Sequence, residues 1–160
     1  MNGNPQVIAV MQEGLNLEAS LAHAYFLNGT ALKEGLGIKT GTELMELGEQ
    51  CCHYKEKLLK RLLLLGASPE IAPDTATLAN SVAETLQELL MLEESLLTHY
   101  TTAVKVCYDA ADMEAFHFFQ HLCKDHTIGQ HKRRGHIKYL EHERIQFAAL
   151  GEVNYIAAHI

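Results

Sequence analysis

The chain has 160 residues and a mass of 17.8 kDa, enough for one domain with a sizeable core and too short for two independent ones. Hydrophobic residues make up 48% and charged residues 21%, a globular balance that excludes a disordered, collagen-like or coiled-coil chain. Thirteen basic against twenty acidic residues leave a formal net charge of −7, which argues against a nucleic-acid partner and suits the attraction of cations.

Met1-Asn2-Gly3-Asn4-Pro5 lacks the basic start, apolar core and small-residue cleavage site of a secretory leader, so the expected location is cytoplasmic. The most apolar stretch, Leu62 to Ala67, lies between Arg61 and Ser68 and falls far short of the ~20 residues that cross a bilayer. No membrane partner is expected. Cys51, Cys52, Cys107 and Cys123 are few, and the adjacent pair is badly placed to bridge to itself, which predicts free thiols or metal ligands.

Only three prolines interrupt the chain, and the segments between them carry helical rather than alternating periodicity, so the fold class is all-α. Val7, Val10, Met11, Leu17, Leu21, Tyr25 and Leu32 predict a first helix over about 6–34, stopped by Gly35-Leu36-Gly37. Leu44, Leu47, Cys51, Tyr54, Leu58, Leu62 and Leu65 predict a second over about 40–65, with Gly66 as its exit. The segment from Gly66 to about Leu78, with Pro69 and Pro73, is long enough to run the length of a bundle. A third helix is expected over about 81–109 and a fourth over about 112–147, with Asp112 as its cap. A short apolar helix over about 152–159 closes a single domain spanning 1–160. Two hairpins joined by one long crossover are the connectivity of a ferritin-like four-helix bundle.

Ile128 to Gly135, a basic run between two glycines, is either a looped-out insertion or a two-turn extension of the fourth helix. A continuous helix turns both His126 and Arg133 inward. Because a buried arginine without a partner is costly, the expectation is a break over 128–135.

Five of the ten histidines, His121, His126, His131, His136 and His142, fall in this region. Four are spaced by five, which rotates them around a helix and makes no ligand stripe. His117, His121 and Asp125 do share one side, where a solvated polar face is the simpler reading. Glu18 and Glu93 sit among apolar neighbours, and a buried carboxylate needs a metal, a proton partner or water. With Cys51 and Tyr54 on the second helix and His126 or His136 on the fourth, every helix offers a potential ligand, as in metal sites built inside bundles. No Gly-x-Ser-x-Gly, phosphate-cradling glycine loop or His-Glu-x-x-His occurs. Lys132-Arg133-Arg134 reads as a solvated loop.

Leu15-Asn16-Leu17-Glu18, Ala24-Tyr25-Phe26-Leu27, Lys60 to Gly66 with Pro69, His136 to Glu141 and Gly151 to Ile156 together resemble the bacterioferritins over almost the whole chain. The weakest stretch is Asp125 to Gly135, where this sequence carries about seven additional residues against a regular helix. The resemblance implies dimers that assemble into a hollow 24-subunit iron-storage cage, alone or mixed with a second subunit, with a di-iron ferroxidase centre in each subunit and heme between pairs. Such a centre takes a glutamate from each of two helices and a Glu-x-x-His pair from each of the other two. The lone glutamates match Glu18 and Glu93, whereas the second-helix pair falls on Cys51 and Tyr54. On the fourth helix His126 takes the glutamate position when matched from its start, Arg133 and His136 take the glutamate and histidine positions when matched from its end, and a looped segment would bring His126 and His136 in together. The implied metal ligands are therefore Glu18, Cys51, Glu93, His126 and His136, with Tyr25 and Tyr54 as adjacent catalytic candidates. Two carboxylates with thiol and imidazole shift preference from Fe(III) toward Zn, Cu or Co, which leaves weak or absent ferroxidase activity as the expectation. The heme-ligand methionine falls on Cys52, with His23 and His53 on the same side.

Overall fold

The computed structural model describes residues 3–34 and 37–149, and in that range the chain forms four helices: α1 Pro5–Lys33, α2 Ile38–Leu64, α3 Val82–Asp109 and α4 Met113–Ala149. α1, α3 and α4 start where a side chain caps the first turn. The Asn4 side chain accepts from the Gln6 amide at 2.8 Å, with Pro5 in the first turn. Ser81 accepts from the Glu84 amide at 3.1 Å, and Asp112 accepts from the Ala115 amide at 2.9 Å. α2 is capped at Leu65 and followed by Gly66, whose φ of 77° permits the left-handed turn. The expected helix over 152–159 lies outside the described residues.

Short turns make α1 and α2 one antiparallel hairpin and α3 and α4 the other, and α1 also packs against α3. The core between them is continuous, with Met11, Leu15, Tyr25, Leu44, Leu58, Leu62, Leu86, Leu89, Tyr100 and Phe119 almost fully buried. Arg61 near the end of α2 reaches Asp112 and Glu114 at 3.4 and 2.5 Å, which pins the start of α4.

The crossover carries no helix and lies along α1. Gln12 exchanges hydrogen bonds with the Glu70 backbone, Asn16 accepts from the Ala72 amide at 2.8 Å and Ser20 from the Asp74 amide at 2.8 Å. Asn28 accepts from Ala79 at 3.3 Å. This stripe, at intervals of four from Gln12 to Ser20 and of eight to Asn28, satisfies backbone groups that have no helix of their own.

The expected break over 128–135 does not form. α4 is helical throughout, and no segment loops out among the described residues. Arg133 has the partner that its burial requires: it is 3% exposed and pairs with Glu93. Lys132 and Arg134 face outward, and Arg134 meets Glu94 at 2.9 Å.

Candidate functional site

Glu18 on α1 and Glu93 on α3 are 0% and 2% exposed, and they meet at the centre of the bundle around His126 of α4. His126 Nε2 lies 2.8 Å from Glu18 Oε1 and Nδ1 lies 3.2 Å from Glu93 Oε2. Both partners are carboxylates, so the arrangement is met by an imidazolium that donates from each nitrogen. Burial pulls the His126 pKa down, but the bonds and charges of Glu18 and Glu93 outweigh it and hold the ring at about 9.

Arg133 approaches the same carboxylate from two turns further along α4, with Nη2 2.5 Å from Glu93 Oε1. Its guanidinium lies 5.6 Å from the Tyr25 ring centroid, a cation–π arrangement. Among the described residues Nε has no hydrogen-bond partner, and the contact with Glu93 is a charge pair rather than a well-angled hydrogen bond. Tyr25 donates to Glu93 Oε1, and Tyr100 donates to Glu18 Oε1 at 2.7 Å. Two carboxylates are thus met by two side-chain cations and two phenols.

Cys51 is buried beside Glu18, and burial, then the two carboxylates, push its thiol well above the ordinary range. Tyr54 turns its hydroxyl to Asp125 and receives a hydrogen bond from Gln50 at 3.3 Å, while its ring lies 5.5 Å from that of His126. Burial and Asp125 hold its phenol protonated. Cys52 is half-buried against the core, outside this network.

Of the residues named from the sequence, the fold brings Glu18, Glu93, His126 and Tyr25 into contact, with Cys51 and Tyr54 alongside. His136 does not join them. With α4 continuous it lies 3.1 Å from Glu43 of α2 instead. His121 sits 3.6 Å from Asp125 on the surface, and Asp125 is committed to Tyr54. One member was missed and one was placed in a loop. Tyr100 follows Glu93 by seven residues, the same face two turns on, and that spacing was the available signal. Arg133 follows His126 by the same interval, and its partner lies 40 residues away in the chain.

The profile of the family described as Ferritin-like domain matches residues 8–142. The chain belongs to this ferritin-like family. Its relatives include a bacterial ferritin of Neisseria meningitidis serogroup B, 24% identical over 162 residues and covering all of both chains. A bacterioferritin of Brucella melitensis is 24% identical over 97% of this chain and 92% of its own. Rhodobacter capsulatus bacterioferritin superposes with a TM-score of 0.74 at 23% identity, covering 99% and 96% of the two chains; that structure is described as having a metal-free dinuclear site and heme iron. A mycobacterial bacterioferritin also reaches 0.74, at 21% identity. The bacterioferritin resemblance of the sequence and the four-helix ferritin-like fold are both borne out.

A di-metal centre, the cofactor this fold family implies, does not fit these residues. Both nitrogens of His126 face carboxylates, and Glu93 is held by Arg133 and Tyr25. Among the described residues no group of three or more His, Cys, Asp and Glu side chains has an arrangement that holds a metal ion.

Proposed function

We propose that this ferritin-like chain is a subunit of a bacterioferritin-type iron-storage cage, contributing shell and cavity surface while its own centre is a closed ionic network. The observation that carries this reading is the end-to-end match with bacterial ferritins, which covers all of both chains, set against an interior whose carboxylates are already neutralised. Iron in this reading is cargo, and the chain's own oxidation of Fe(II) is weak or absent. The partners are further copies, paired and assembled toward a 24-subunit cage, alone or beside a second subunit that supplies oxidation; the proposed location is cytoplasmic. Cys52 is the proposed contact for heme between paired subunits, read by a Soret band that Cys52→Ala removes.

The test is to load the purified chain with Fe(II) in air, fractionate it by size and follow the initial oxidation rate. The expected outcome is a large assembly in which protein and iron co-elute, with a rate close to that of protein-free buffer. A monomer that retains no iron overturns the cage reading. A rate rising in proportion to protein concentration overturns the closed centre.

A further inference from the structure

We infer that the Arg133 guanidinium is a built-in cation in place of a metal, seated over Gly129, and that removing its charge turns the Glu18–Glu93 centre into a divalent-cation site. Glu93 Oε1 is the oxygen that Arg133 engages, while Oε2 is held by His126. Without Arg133, two buried carboxylates face one positive charge, and the remaining negative charge has no water to solvate it.

Gly129 supplies the room. A Cβ at this position would stand 3.0 and 3.1 Å from Arg133 Nη2 and Nη1, so the guanidinium lies against a residue without a side chain. Position 129 is three residues after His126, the offset at which the second member of a Glu-x-x-His pair projects into a bundle. The glycine and the arginine therefore act as a pair: the first vacates the space of a ligand, and the second fills it with charge. A second observation points to the same place. Among the described residues Glu18 Oε2 is buried with no hydrogen-bond partner, and the Cys51 thiol lies beside the same carboxylate, so the centre holds an oxygen that can accept a cation once the arginine is gone.

The experiment compares the full-length wild type, Arg133→Met and Arg133→Lys by thermal unfolding in EDTA, in Zn²⁺ and in Co²⁺, with metal retained per subunit measured after gel filtration. The wild type and Arg133→Lys are expected to unfold at temperatures indifferent to these metals. Arg133→Met is expected to lose roughly 10 °C in EDTA, because one partner of a buried pair is missing, and to recover most of it in Zn²⁺ or Co²⁺ by binding to the folded state. Exposed histidines also bind Zn²⁺, so the recovery is checked in Glu18→Gln with Arg133→Met, where it must disappear. The proposal is overturned if folded Arg133→Met gains nothing from either metal, or if its gain survives Glu18→Gln. If Arg133→Met does not fold under any condition, Glu93→Gln is combined with it; this removes one charge of each sign and is expected to restore folding without metal. Failure to restore it overturns the proposal too. The inference rests on the ionic reading of the centre and not on assembly, so iron retention and size separate its failure from that of the cage reading.

Discussion

His126 is the residue whose protonation holds two helices to a third. It faces Glu18 from α1, Tyr54 from α2, and Glu93 and Tyr100 from α3, while Cys51 and Arg133 lie around the same two carboxylates. Its folded pKa of about 9 lies above the ordinary 6.5, so its contribution is fully present below about pH 6.5 and is lost as pH rises through 9. The difference corresponds to a contribution on the order of 3 kcal/mol. Thermal unfolding between pH 6 and 9 is expected to fall more steeply for the wild type than for His126→Gln; parallel curves would remove the imidazolium from the account. Tyr25, Tyr100 and Cys51 are pushed upward, by burial first and then by the carboxylates, so none of them titrates in this window in the folded chain. Glu93→Gln strips Arg133 of its charge partner and is expected to cost about 3–5 kcal/mol, read from urea unfolding. A loss below about 1 kcal/mol would mean that the pair is solvated.

Helices α1 and α2 approach closely enough that one methyl group matters. A Cβ at Gly41 would lie 2.7 Å from both the Gly29 carbonyl oxygen and the Lys33 amide nitrogen, and these are backbone atoms that no side-chain rotation can clear. Gly41→Ala gains up to about 1 kcal/mol in helix propensity but forces the helices apart. A net loss of about 1–3 kcal/mol is expected, and a stabilised variant would show that the crossing yields freely. The start of α4 and the exit of α2 were legible in the sequence because Asp112 and Gly66 are local signals. The continuity of α4 was not, because the residue that permits it is Glu93 on another helix.

For the molecule as a whole, the ionic centre predicts folding that is independent of metal. Exhaustive chelation is expected to leave the helical circular dichroism and the unfolding temperature of the wild type unchanged, since His126 and Arg133 already balance Glu18 and Glu93. A fall of several degrees after chelation, reversed by metal, would show that a bound ion carries part of the stability. The bundle leaves Ile38, Leu63, Leu64, Met91, Tyr108 and Tyr139 well exposed, and scattered apolar groups of this kind are normal on a single subunit. Assembly is therefore tested by size rather than read from this surface.

Helical periodicity, caps and the proline-bearing crossover lie in short stretches of sequence, and the sequence alone determined an all-α bundle of two hairpins with polar residues at positions 18, 93 and 126 on its inner faces. Local hydrophobic spacing is enough for that, because each helix must bury its own stripe. What those polar residues are to one another was decided only by the tertiary structure. Whether a buried charge is tolerable depends on the charge opposite it, and Glu18, Glu93, His126 and Arg133 come from three helices separated by tens of residues. The same arginine is a reason for a loop when considered alone and a reason for an unbroken helix once Glu93 is beside it.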